Sequence, residues 1–145
     1  VWAGLQALNP AAGSVVVVHD AVRPLFSLAL LARVLAGCEQ AEGCIPGLPP
    51  KDTVKEVAVH NVVRTVNRDQ LRLAQTPQAF RAHALKQAFQ RARQENFYAT
   101  DEAGLIEHLG GKVVWVEGEE KNLKITTPSD LQVAELFARE LGTCA

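Results

Sequence analysis

The chain reads as an α/β domain, and three observations carry that reading. Val15-Val16-Val17-Val18 is an unbroken β-branched run, the pattern of a strand buried on both faces in parallel α/β sheets. Between Ser27 and Gln40, Leu28, Leu31, Leu35 and Cys38 recur at helical spacing behind a serine suited to cap the first turn. Strand, turn and helix in that order make an α/β unit. With 145 residues, 48% of them hydrophobic, there is chain enough for one domain with a real core.

The remaining elements follow in order. Trp2–Leu8 ends a helix at Asn9-Pro10. Gly43–Pro50 is a short strand with a proline-rich exit. Across Lys51–Asp69, valines alternate with polar residues on either side of His60-Asn61, which predicts a hairpin. A lone two-stranded hairpin is marginal in water, so this one is expected to pack on something, such as another subunit. Leu71–Gln78 reads as a short strand closing in a turn. Arg81–Glu95 is an amphipathic helix with Leu85, Ala88, Phe89 and Ala92 inward. Thr100 is expected to cap the next helix, which stops at Gly110-Gly111. Lys112–Val116 and Leu123–Thr126 read as strands. Thr127-Pro128-Ser129-Asp130 opens the last helix, with Asp130 assigned to capping.

Composition excludes several classes. A net charge of −1 gives no basic footprint for nucleic acid. No apolar run reaches the roughly 20 residues of a membrane span. Cys38, Cys44 and Cys144 lack CxxC spacing, so neither a disulfide framework nor a zinc site is expected, and a reducing cytoplasmic setting fits. There is no basic N-terminal region of a signal peptide, no GxGxxG, no P-loop, no HExxH and no GxSxG. The chain starts with Val and contains no Met, which predicts that it is part of a longer polypeptide.

Polar clusters recur where strands end: Asp20/Arg23, Lys51/Asp52/Thr53, Arg68, Thr76, Thr100/Asp101 and Asn122/Lys124. Ligands of open α/β sheets bind outside the carboxyl ends of the strands. Cations and hydroxyls suit a phosphorylated, polyhydroxylated ligand, and Asp20 suits a hard cation held jointly with phosphate. Each cluster also has a plainer reading: Asp20 capping a turn, Lys51 and Arg68 as solvated hairpin charges, Thr76-Pro77 as turn chemistry. Lys124 resists that treatment, because it interrupts an apolar stretch and alternation turns it away from Leu123 and Ile125.

Taken together, VVVVHDAVRP, PPKDTV, RTVNRDQL, LAQTPQAF, ATDEAGLIE and VEGEEKNLKITTPSDLQVAE resemble the 2-C-methyl-D-erythritol 4-phosphate cytidylyltransferases in order and spacing. The resemblance covers nearly all of the chain, residues 1–145, as roughly the last two thirds of such a domain. It implies a nucleotide-sugar-transferase-like, Rossmann-like mixed sheet flanked by helices. The arm at 49–69 would protrude and join a homodimer. The implied reaction joins CTP and methylerythritol phosphate, with Mg²⁺, to give the CDP-alcohol and pyrophosphate. By motif position, Asp20 would approach the metal and the CTP phosphates, while Arg68 and Lys124 would hold the methylerythritol phosphate. Arg23, Thr53, Thr76, Thr100 and Asp101 would line the substrate pocket, with Thr53 and Arg68 acting across the dimer. The family's glycine-rich CTP loop is expected upstream of Val1. Lys121 stands where many members carry an acid before the Asn, so a second metal carboxylate is not expected. A ribitol-5-phosphate cytidylyltransferase and a non-catalytic dimerisation or binding module are the alternatives. The TDEA segment and the Lys-bearing stretch after it favour the first reading over the ribitol enzyme.

Overall fold

The computed structural model describes residues 1–142; Cys144 lies outside the described residues. Its elements are α1 (Trp2–Leu8), β1 (Val15–Val18), α2 (Leu28–Gly37), β2 (Gly43–Leu48), β3 (Lys55–Ala58) and β4 (Asn61–Thr65). A 3-10 turn (Arg68–Gln70), β5 (Leu73–Ala74), β6 (Gln78–Arg81), α3 (Ala82–Glu95), α4 (Glu102–His108), β7 (Val113–Glu117) and α5 (Pro128–Glu140) follow. No helix among the described residues is long and apolar enough to cross a membrane.

The main sheet is mixed. β2 lies parallel to β7 along one edge, and on its other edge it meets β6 at its start and β5 at its end, both antiparallel. β6 in turn pairs antiparallel with β1. Alternation along the strands sorts the core into two layers. Cys44, Ala79, Val114 and Val116 face α2 through Leu30, Val34 and Cys38. Phe80, Val16, Val18, Ile45 and Val113 face α3, α4 and α1 through Leu85, Ala88, Ile106 and Leu5. Cys38 and Cys44 are both free; burial raises both thiols, Cys44 to about 11.

Several expectations are corrected. The valine strand is not buried on both faces: β1 pairs with β6 alone among the described strands, and Val15 and Val17 are 36% and 40% exposed. The inward face of α2 is Leu30, Val34 and Cys38, whereas Leu28 is 80% exposed. QAFR, where the sequence predicts only a turn at Gln78 and a helix from Arg81, forms β6, and its burial comes from strands on both sides. Leu123–Thr126 joins no ladder; the Ile125 N–H donates to Val22 O at 2.9 Å. Asp101, not Thr100, caps α4, accepting from the Gly104 N–H at 2.9 Å.

Other local readings hold. Ser27 caps α2, and Thr127 with Asp130 forms a reciprocal capping box behind Pro128. The hairpin is present, but its turn is Val59-His60 rather than His60-Asn61, Asn61 already opening β4, and its register is irregular between Glu56 and Val57. Both of its strands are exposed throughout, and it forms a separate two-stranded sheet.

Candidate active site

The antiparallel register sets Val18 opposite Gln78, so continuing it two residues brings Asp20 opposite Thr76. There the Asp20 N–H donates to Thr76 Oγ1 at 2.9 Å. His19 fixes the direction of the bonds around it. Its Nε2 lies 2.9 Å from Arg23 O, which only accepts, so Nε2 carries the proton. Nδ1 is then left to accept from the Thr76 hydroxyl at 3.0 Å. The Thr76 hydroxyl therefore serves the loop and keeps one lone pair for a ligand.

Asp20 Oδ2 takes two cations, Lys124 Nζ at 3.2 Å and Arg23 Nε at 3.3 Å. Burial alone would raise the Asp20 pKa, but the Lys124 ammonium and then the Arg23 guanidinium outweigh it and hold the carboxyl below its ordinary value. Among the described residues no hydrogen bond falls on Oδ1. Arg23, only 9% exposed, is locked by a second bond from Nη1 to Asn122 O at 2.8 Å.

Behind this pair stands an amide clip. Gln75 Nε2 donates to Glu119 O at 2.9 Å and its Oε1 accepts from the Glu119 N–H at 3.0 Å, as a neighbouring strand would. Asn122 Nδ2 donates to Thr76 O at 2.8 Å. Gly118 lets this loop approach, since a Cβ there would collide with Gln75 Oε1. The clip fixes residues 119–122 against the β1 end and so sets Lys124 over Asp20. Among the described residues the buried polar side chains are Arg23, Gln75, Gln78 and Asn122, and all belong to this corner. Buried polar groups cost free energy unless partnered, so their gathering at one place marks the site.

A cavity of about 280 Å³ opens here, lined by Asp20, Arg23, Thr76, Gln78, Thr100, Asp101, Glu102 and Lys124 among others. It shares Thr100, Asp101 and Glu102 with a larger cavity of about 460 Å³ walled by Trp2, Phe89, Phe97 and Tyr98. We take the smaller one as the site because it holds the cations and buried amides. Six of the residues singled out in the sequence thus meet: Asp20, Arg23, Thr76, Thr100, Asp101 and Lys124. Thr53 and Arg68 do not line it; Arg68 Nη1 donates to Lys51 O at the root of the hairpin. Glu120 pairs with Lys51 and Lys121 with Glu140, so neither acts at Asp20. Gln75, Gln78, His19 and Glu102 are not among the residues that the sequence singles out, and Asn122 stands there only as the neighbour of Lys124. The signal for the two glutamines is a pair of amides flanking Thr76-Pro77 between short apolar stretches.

A mixed sheet between helix layers, with a carboxylate, two cations and a hydroxyl at its strand ends, defines the nucleotidyltransferase type of α/β sandwich. Solved structures agree. The 2-C-methyl-D-erythritol 4-phosphate cytidylyltransferase from Thermus thermophilus superposes with a TM-score of 0.82 at 40% identity, covering 94% of this chain and 67% of that one. The 4-diphosphocytidyl-2C-methyl-D-erythritol synthase from Anaerococcus prevotii gives 0.86 at 33% identity, covering 95% and 64%. The model of the family described as IspD, 2-C-methyl-D-erythritol 4-phosphate cytidylyltransferase, matches residues 1–140, and the chain belongs to that family. Relatives of that name from Syntrophotalea carbinolica and Pelotomaculum thermopropionicum are 45% and 46% identical over 134 and 136 residues. These matches cover 92% and 93% of this chain but only 58% and 57% of the relatives' own length.

Proposed function

We propose that this chain supplies the acceptor-substrate side of a cytidylyltransferase site. In a polypeptide of its relatives' full length, CTP and 2-C-methyl-D-erythritol 4-phosphate would give CDP-methylerythritol and pyrophosphate. The observation that carries the reading is the meeting of Lys124 and Arg23 on one oxygen of Asp20, at the mouth of a cavity edged with hydroxyls and amides. Cations there suit a phosphate, and the neutral acceptors suit a polyol chain. The relatives from Syntrophotalea carbinolica and Pelotomaculum thermopropionicum, both 2-C-methyl-D-erythritol 4-phosphate cytidylyltransferases by name, support the same acceptor and the same transferred group.

In this reading a phosphate oxygen of the methylerythritol phosphate attacks the α-phosphorus of CTP and pyrophosphate leaves. The chain's part is positioning and charge neutralisation rather than covalent chemistry. Lys124, exposed, turns from Asp20 to the incoming phosphate. Arg23, buried and held by Asn122 O, keeps Asp20 in place. No group of three or more His, Cys, Asp or Glu among the described residues could hold a metal by itself. Mg²⁺ commonly takes one or two carboxylates plus phosphate oxygens, so Asp20, deprotonated and with Oδ1 open, fits as its protein ligand. When bound, the ion would neutralise triphosphate charge.

The hairpin extends the proposal. Val57, Val59, Val62 and Val63 are exposed on it, and a lone two-stranded arm is marginal in water. A second copy of the chain would cover them, forming a homodimer and carrying Thr53 and Arg68 to the partner's cavity. A cytoplasmic setting accords with free, buried Cys38 and Cys44. The test is pyrophosphate release by the full-length polypeptide with CTP, Mg²⁺ and either methylerythritol phosphate or ribitol 5-phosphate. Turnover confined to the first acceptor is expected. Preference for ribitol phosphate would reassign the substrate, and no turnover with either would favour a binding module.

A further inference from the structure

Gln78 opens β6 with its side chain 3% exposed, and it lines the cavity beside Asp20, Thr76, Thr100 and Lys124. Its orientation is fixed by its partners. Nε2 donates to Gln75 O at 3.3 Å and to Asp101 Oδ2 at 3.2 Å, and both of these oxygens only accept. Exchanging the amide's oxygen and nitrogen would set an acceptor against two acceptors, so Oε1 is the free end. That oxygen is buried and meets no donor among the described residues. Nearby donors turn elsewhere: the Thr76 hydroxyl to His19, Arg23 to Asn122 O and Asp20, and Lys124 to Asp20, and none of them reaches Oε1. A buried amide oxygen without a donor is costly in a folded protein, and on a residue that lines a cavity it points to a donor supplied by the ligand.

Resting on the cytidylyltransferase reading above, we propose that Gln78 Oε1 accepts a hydroxyl proton of the polyol phosphate and so selects a hydroxylated acceptor chain. The residue type suits the task. Glutamine offers an acceptor without net charge, whereas glutamate would repel both the substrate phosphate and Asp101. Asp101 holds the amide steady, because its other oxygen is tied to the Gly104 N–H as the cap of α4. Gln78 is thus a specificity-determining residue.

The experiment uses the full-length polypeptide, wild type and Gln78→Met, with CTP, methylerythritol phosphate and its three monodeoxy analogues. One analogue is expected to lose about tenfold or more in kcat/KM on the wild type, the scale of leaving a buried acceptor unpaired. On Gln78→Met that penalty shrinks to within about threefold, while KM for CTP stays within about twofold. A merely structural role lowers all four acceptors alike and leaves their ratios unchanged, which would overturn the assignment. A second measurement needs no variant. The Gln78 ¹³Cδ resonance is expected to move when methylerythritol phosphate binds to the wild type, and to stay in place with the one sensitive analogue. The same shift with every analogue, or none with the parent compound, identifies a bound water as the donor and also overturns it. Failure of the functional reading itself looks different: wild-type protein releases no pyrophosphate, while the resonance still reports on binding.

Discussion

Lys124 Nζ and Arg23 Nε converge on the same oxygen of Asp20, at 3.2 and 3.3 Å, although the lysine is about a hundred residues away in sequence. The contact follows from the fold: β1 delivers Asp20, and the loop after β7 returns Lys124 over it.

The first prediction concerns that carboxylate. Lys124→Met removes the larger of the two lowering influences, so the Asp20 titration midpoint moves up. Carboxyl ¹³C chemical shifts against pH read it directly. The sign for stability follows. The depressed pKa stabilises the fold above the ordinary carboxylate range, and this is lost as pH falls through the folded-state value. Lys124→Met therefore flattens the acid side of the stability profile. In the full-length polypeptide, Asp20→Asn keeps the fold by circular dichroism and lowers turnover by about a hundredfold or more, the scale of removing one preorganised group. Turnover within a few-fold of wild type would make Asp20 a turn residue.

Gln75 supplies a second. Truncation to Ala strips partners from Glu119 N–H and Glu119 O and from the Asn122 amide. Each buried polar group left unpaired costs about 1–3 kcal/mol, so Gln75→Ala is expected to lose roughly 2–4 kcal/mol in urea unfolding. Gln75→Glu, nearly isosteric, keeps the acceptor and loses the donor, and it too is expected to destabilise. A loss below about 0.5 kcal/mol for both would show that the loop holds itself.

Both residues bear on what the sequence discloses. Local signals are legible because their physics is local. Ser27 before an apolar period, and Thr127-Pro128 followed by Asp130, predict caps that the structure contains. β6 is hidden because QAFR is short and only half apolar; β1 and β2 make it a strand by flanking it. Leu123–Thr126 fails in the opposite sense, having strand-like alternation and no ladder to join. At the site, a charge that ends an apolar run or interrupts one stands out, and so Asp20 and Lys124 are found. Gln75 and Gln78 do not, and Asn122 is noticed only beside Lys124. A neutral amide looks the same in a solvated loop as in a buried clip, and only the long-range register tells them apart.

The capping box gives a third prediction. Hydrogen bonds from the Thr126 backbone N–H and hydroxyl, then from Thr127, hold Asp130 down at about 2. A folded-state value below the unfolded one means that the contribution is present above the unfolded carboxylate pKa and lost as pH falls toward about 2. Asp130→Asn and Thr127→Ala should each lower the melting temperature at neutral pH. The gap from wild type should close for Asp130→Asn as pH drops through that window, and persist in part for Thr127→Ala, whose hydroxyl accepts from the Asp130 N–H at any pH. A gap of constant size across it would mean that the carboxylate charge plays no part.

The last prediction concerns Arg68. It does not line the cavity that holds Asp20 and instead bonds Lys51 O at the root of the hairpin. In the proposed homodimer the arm carries Arg68 to the partner's cavity, while Asp20 serves its own subunit. Two inactive variants should then complement each other. Full-length Asp20→Asn and Arg68→Ala are mixed and allowed to exchange subunits. In each mixed dimer one site carries both lesions and the other carries neither. Random exchange makes half of the dimers mixed, so activity returns to about a quarter of wild type, as two-fold sharing of sites requires. Were Arg68 to act within its own subunit, every site would keep one lesion and mixing would restore nothing. Native mass spectrometry confirms that mixed dimers have formed. Mixed dimers without activity would assign Arg68 to its own subunit, and a protein that stays monomeric at assay concentration would remove the arm's role altogether.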